Sequence, residues 1–206
     1  MDNISSSNKK LVGLAGYMGA GKSTCASYLK SKNAYIIDAD LEAKQMMLSN
    51  LEIKNTLIKT FGSYIIVDEK LNFNRLGKLA FNSIDDLKQL NSIVHPPLIQ
   101  MLESKITQLI NTKTEYYDLV ALDAALLPMW KFPLKFDLLI WVDSSYQYRF
   151  QRLNAKLFDK LSAQEIEQRM RFQQILFEAP KTSPWVTVYN NSTIEDLIIE
   201  FSAILP

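Results

Sequence analysis

The chain alternates between short, uniformly apolar runs and longer stretches in which apolar residues recur every three or four positions. Five runs, residues 10–15, 34–37, 117–122, 136–142 and 185–189, lack the polar alternation of a half-exposed strand, which predicts strands buried on both faces. Helical spacing is plainest near the end, at Ile194, Leu197, Ile198, Phe201 and Ile204, and Ser192 with Glu195 three residues on predicts a capping box there. Ser162 with Glu165 predicts another start, opening a polar helix to about residue 174. Pro96-Pro97 predicts a break, after which Leu98, Leu102, Ile106 and Leu109 mark a fresh helix with His95 at its start. Strand and helix in alternation predict an α/β fold in three layers, a five-stranded parallel sheet flanked by helices. Residues 41–112 carry little strand signal beyond 64–67, too long a stretch for one crossover, and predict a helical insertion into a single domain whose core is 10–40 and 114–206.

Composition narrows the function. The 206 residues carry 23 Lys+Arg against 22 Asp+Glu, a formal net charge of +1, which argues against nucleic acid or an anionic membrane as the main partner and leaves small molecules. No run approaches the roughly 18 apolar residues of a membrane-spanning helix. Residues 1–10 are polar, with Ser5-Ser6-Ser7 and Lys9-Lys10, and carry no secretory apolar region, so the expected location is cytoplasmic; oligomeric state stays open. One Cys and one His exclude a disulfide within the chain and a zinc site built from those residues. Cys25 reads as a small buried residue, His95 as a cap or packing residue, and Trp130, Trp141 and Trp185 as core or rim aromatics.

Four of the six glycines fall within nine residues, Gly13 to Gly21. Gly16-Tyr17-Met18-Gly19-Ala20-Gly21-Lys22-Ser23 fits G-x-x-x-x-G-K-[ST] between a predicted strand and a predicted helix. In that context backbone N–H groups and a helix N-terminus face phosphates, a lysine reaches the β- and γ-phosphates, and a serine hydroxyl binds Mg²⁺. The expected ATP site is therefore Gly16, Met18, Gly19, Ala20, Gly21, Lys22, Ser23 and Thr24, with Ser23 as the magnesium residue. Asp38 and Asp40 lie at the end of the second run, on one side of it if the strand continues. One can take a hydroxyl proton while the other orients an acceptor or metal-bound water, and Asp40 has the alternative of capping the following helix. Asp123 ends the third run as a Walker-B carboxylate would. Between Arg149 and Arg171 six cations face three carboxylates, which predicts a lid at about 146–175 with Arg152 and Lys156 on the nucleotide.

Together these residues resemble the dephospho-CoA kinase family. The resemblance rests on residues 14–24 and on Ile37-Asp38-Ala39-Asp40. It rests too on Asn74-Arg75-Leu76-Gly77-Lys78-Leu79-Ala80-Phe81, on His95-Pro96-Pro97-Leu98-Ile99, and on the lid from Arg152-Leu153 through Leu161-Ser162 to Arg169 and Gln173. It implies a P-loop kinase that phosphorylates the ribose 3′-hydroxyl of dephospho-CoA with ATP and Mg²⁺ to give coenzyme A. Asp40 would be the base beside Lys22, with Asp38, Arg75, His95 and Asp123 on the acceptor and the lid cations as a clamp. The chain departs from the family pattern at Ala125-Leu126-Leu127-Pro128-Met129, where a Pro-Leu-Leu-Phe-Glu segment is usual, and at Lys156, where an arginine is usual. Two alternatives stand beside this reading: a small-metabolite kinase of shikimate type, and a nucleotide-binding relative that acts through a protein partner.

Overall fold

The five apolar runs pair into one sheet, in which the three inner runs are buried on both faces as expected, while the two at the edges leave Tyr35, Val186 and Tyr189 exposed. In the computed structural model, which describes residues 9–113 and 116–206, these strands are β1 (Lys10–Gly16), β2 (Tyr35–Asp38), β5 (Leu119–Asp123), β6 (Leu138–Asp143) and β7 (Trp185–Tyr189). All are parallel, in the order β2-β5-β1-β6-β7. The register brings their C-terminal ends to one edge: Asp38 lies opposite Asp123, Gly16 opposite Val142, and Asp143 opposite Tyr189. That is the edge at which open α/β sheets bind ligands.

One face of the sheet is covered by α1 (Lys22–Ser31) and α8 (Ile194–Ala203), whose Cys25, Leu29, Leu197 and Phe201 pack on Val12, Leu14, Ile140 and Val188. The other face carries α2 (Ala39–Ser49), α3 (Leu51–Phe61), α4 (Phe73–Ala80) and α5 (Ile84–Asn111), all between β2 and β5 in sequence. A two-stranded hairpin, β3 (Ile66–Val67) with β4 (Lys70–Leu71), sits between α3 and α4, preceded by a 3₁₀ turn at Ser63–Ile65. After β6 come α6 (Tyr146–Leu157) and α7 (Ala163–Leu176), which share a small core of Leu153, Ile166 and Met170 with Met18 packed against it. Trp141 is a core residue, and Cys25 is sealed inside, where burial pushes its thiol up to about 12. None of the described helices is long and apolar enough to cross a membrane. The N-terminal residues 1–8, part of the expectation about secretion, lie outside the described residues.

Three sequence expectations are corrected. Pro96 and Pro97 do not break the chain: α5 runs through them for 28 residues, so His95 is in a helix interior and not at a start. Each interior proline costs about 3 kcal/mol, but Leu87, Val94, Leu98, Leu102 and Ile106 are all buried along this helix. Five such side chains at about 1.5–3 kcal/mol each outweigh the two prolines. The capping box of α8 is Thr193 with Asp196, one residue later than expected, because the Asp196 carboxylate accepts from the hydroxyls of both Ser192 and Thr193. The second strand ends at Asp38 rather than continuing, so Asp38 and Asp40 do not share a strand face. The box at Ser162 and Glu165 forms as expected.

Candidate active site

Residues 16–21 carry the chain from β1 to α1 in a turn that only glycine fits at its ends. Gly21 has φ of 107°, and a Cβ there would stand 2.2 Å from Asn190 Nδ2. A Cβ on Gly16 would stand 2.6 Å from the Val142 carbonyl oxygen on the neighbouring strand. Asn190 Nδ2 donates to the Ala20 carbonyl at 2.7 Å, tying the loop to the end of β7. The first turn of α1 carries no acidic residue, so its positive end is left to attract an anion. The loop walls a cavity of about 320 Å³ into which Lys22, Ser23, Thr24, Arg152 and Lys156 face, with Asp40 at its side. The structure thus brings all of the expected nucleotide residues together except Ala20, which is buried beneath the loop.

Three carboxylates stand in different states where β2 and β5 reach this edge. Asp123 is 8% exposed and forms an ion pair with Lys22. Burial raises its pKa and the charges of Asp38 and Asp40 add to the rise, against the opposing pull of Lys22. Asp38 is the N-cap of α2 and accepts from Leu41 N at 3.0 Å, so the cap considered for Asp40 falls to Asp38. Asp40, in the first turn of α2, is exposed and lines the phosphate cavity. Among the described residues no cluster of three His, Cys, Asp or Glu is placed to cage a metal. Mg²⁺ needs no such cage, since it keeps several waters and takes one or two protein oxygens beside phosphates. The Ser23 hydroxyl in the cavity and the crowding of negative charge around Asp123 fit that ion.

A second cavity, of about 480 Å³, opens on the other side of Asp40 between α2, α4, α5 and α7. Asp40 and Ala125 line both cavities and form the wall they share. The second is largely apolar, with Phe73, Phe81, Leu90 and Trp130, and carries Lys44, His95 and Arg169. Trp130 Nε1 donates to His95 Nδ1 at 3.2 Å, which leaves the histidine proton on Nε2. Burial lowers the His95 pKa to about 4, so the ring is neutral at physiological pH. Of the four residues expected on the acceptor, His95 lines this cavity. Asp38 caps α2 and Asp123 pairs with Lys22. Arg75 is turned away: its Nη1 donates to the Tyr64 carbonyl at 3.1 Å and its guanidinium lies 4.6 Å over the Tyr64 ring. The exposed face of Tyr64 and the vacant carbonyl of the 3₁₀ turn draw it there.

The two helices after β6 hold the phosphate loop from outside. Arg152 donates to Ser144 Oγ, to both oxygens of Asn190 at 3.0 and 3.1 Å, and to the Gly19 carbonyl. Arg149 is 2% exposed, with its guanidinium 4.9 Å over the Tyr17 ring. Tyr17 stacks edge-on against Trp141 and donates its hydroxyl to the Phe177 carbonyl at 3.0 Å. Gln173 Oε1 accepts from Met18 N at 2.7 Å. Asn190 escaped the sequence reading of the site, although its place just past a strand's C-terminal end was a signal. Tyr17 and Gln173 entered that reading only as members of the loop motif and of the lid resemblance, with no role of their own.

The family model for dephospho-CoA kinase matches residues 10–196. A dephospho-CoA kinase from Oceanobacillus iheyensis is 30% identical over 95% of this chain and 96% of its own length. A solved structure from Thermus thermophilus is 26% identical, covers 96% of both chains and superposes with a TM-score of 0.70. The dephospho-CoA kinase structure from Campylobacter jejuni, at 18% identity, 95% coverage of both chains and a TM-score of 0.57, shares the fold.

Proposed function

The chain belongs to the dephospho-CoA kinase family, and from that premise we propose that it transfers the γ-phosphoryl group of ATP to the ribose 3′-hydroxyl of dephospho-CoA. The observation that carries this reading is Asp40, the one carboxylate among the described residues that lines both the cavity at the phosphate loop and the second, larger cavity. ATP lies with its phosphates on the loop, where Lys22 and the N-terminus of α1 hold them. The acceptor hydroxyl meets the γ-phosphate beside Asp40, which takes its proton as the new O–P bond forms. The bond from the γ-phosphorus to the bridging oxygen breaks in line, and ADP leaves with that oxygen. Ser23 and the Asp123 side of the edge are the residues suited to Mg²⁺, which when bound supplies neutralising charge to the β- and γ-phosphates. The division of labour is a sheet core with α1 and α8, an acceptor-side insertion from α2 to α5, and α6 and α7 as a basic lid that excludes water.

The test is ADP release from ATP and Mg²⁺ with and without dephospho-CoA, for the wild type and for Asp40→Asn. Loss of a general base lowers kcat by about 10²–10⁴. Dephospho-CoA-dependent ADP release that is unchanged in Asp40→Asn refutes the assignment of the base. Nucleotide binding by the wild type with no turnover points instead to a relative that acts through a protein partner.

A further inference from the structure

The lid cations divide between two sites. Arg152 is held by four acceptor oxygens around the phosphate loop. Arg169, on α7, lines the second cavity and not the first. Its guanidinium carbon lies 4.5 Å from the centroid of the Phe81 ring, also in that cavity, and it has no hydrogen bond or ion pair with any described residue. The carboxylate whose field it feels, Glu165, is four residues earlier on the same helix and is already engaged in capping α7. A half-buried guanidinium offers five N–H donors, keeps its charge when desolvated, and stands in a largely apolar pocket with no acceptor of its own. The second cation of the pocket, Lys44, is exposed on α2, and the carboxylate there is Asp40.

A ligand that suits this pocket has a hydroxyl to give to Asp40, a flat or apolar body for Phe73, Phe81 and Trp130, and an anionic group for Arg169. Dephospho-CoA, the acceptor of the reading above, carries its 3′-hydroxyl and its 5′-diphosphate on the same ribose. We propose that Arg169, assisted by Lys44, binds the diphosphate of the acceptor and selects acceptors that carry it; Arg169 is thus a specificity residue for the acceptor and not a clamp on the transferred phosphoryl group. This inference rests on the dephospho-CoA reading. The fork of the guanidinium matches a phosphate oxygen pair, whereas a lysine ammonium meets it as a point charge.

The experiment measures KM for dephospho-CoA and for ATP in the wild type, Arg169→Gln, Arg169→Lys and Lys44→Gln. Adenosine, which has the ribose hydroxyl and no phosphate, is added as a competitor of dephospho-CoA. Arg169→Gln is expected to raise KM for dephospho-CoA about 10- to 100-fold, the loss of one or two charge-assisted bonds, with KM for ATP and the adenosine Ki unchanged. Arg169→Lys recovers part of this loss. Lys44→Gln, at an exposed position where folding is not at stake, shows a smaller change in the same direction. A rise in KM for ATP, or equal weakening of adenosine and dephospho-CoA, overturns the proposal. So does wild-type behaviour in both Arg169 variants. A wild type with no dephospho-CoA-dependent turnover refutes the function itself, and the inference falls with it; active wild type with an indifferent Arg169→Gln refutes the inference alone.

Discussion

Replacing Asn190 by alanine tests whether the phosphate loop is held in place from the far side of the sheet. Asn190 is 5% exposed, and its side chain makes two bonds, donating to the Ala20 carbonyl at 2.7 Å and accepting from Arg152 Nη2 at 3.1 Å. Its backbone carbonyl, which accepts from Ser144 Oγ and Arg152, is untouched by the substitution. A buried carbonyl left without its donor costs about 1–3 kcal/mol. Losing the second bond adds about 1 kcal/mol, since Arg152 keeps three other oxygens. For a chain of this length each kcal/mol lowers Tm by about 2–4 °C, so a loss of about 2–4 kcal/mol in Asn190→Ala lowers Tm by roughly 4–16 °C in a calorimetric scan. Asn191→Ala is the control. Asn191 is exposed, and its Oδ1 accepts from Ser145 N at 2.8 Å, a bond that water replaces, so its Tm falls by only a few degrees. The reasoning fails if Asn190→Ala melts within 1 °C of the wild type, or no lower than Asn191→Ala.

Two further outcomes follow from buried polar contacts. Because burial lowers the His95 pKa from its ordinary 6.5 to about 4, the folded protein refuses a proton that the unfolded chain accepts. Its contribution is constant above about pH 6.5, declines as pH falls toward 4 and levels off below that, so between pH 7.5 and 5 the wild type loses more Tm than His95→Gln; parallel slopes contradict this. Gln173→Ala removes the acceptor of Met18 N, worth about 1 kcal/mol, and loosens the phosphate loop. KM for ATP should rise about three- to tenfold with KM for dephospho-CoA unchanged, and an unaltered ATP KM refutes a role for the contact.

The sheet was legible because its inner strands, buried on both faces, leave unbroken apolar runs, and the phosphate loop because close backbone approach admits only glycine at Gly16 and Gly21; the edge strands β2 and β7 have equally apolar runs yet expose Tyr35, Val186 and Tyr189. What the sequence concealed has a common cause, competition between local rules and long-range packing. Pro96-Pro97 reads as a break until the burial of Leu87, Val94, Leu98, Leu102 and Ile106 is weighed against it. Arg75 sits in a motif of the resemblance, yet its side chain is claimed by Tyr64 eleven residues away. Lid cations look alike in sequence, and only the packing of α7 against the loop through Gln173 separates Arg169 from Arg152. Asn190 carries only the faint signal of its place past a strand's C-terminal end; its role exists because β7 is adjacent to β6 and ends beside the loop.

The three carboxylates where β2 and β5 end show how burial, rather than residue type, distributes chemistry. A general base must have lone pairs free, must reach the acceptor hydroxyl and must pass its proton on. Asp123 is buried against Lys22, and taking up a proton there would discard the ion pair that holds the loop's lysine in place. Asp38 has one oxygen committed to Leu41 N, and protonating it would weaken a cap worth about 1 kcal/mol. Asp40 carries neither obligation: it is exposed, and it alone of the three faces both cavities. The cap on Asp38 also fixes the first turn of α2, and with it the direction in which Asp40 points. The strand ending at Asp38, which removed the expected shared face, is therefore what separates the proposed base from the carboxylate that positions it.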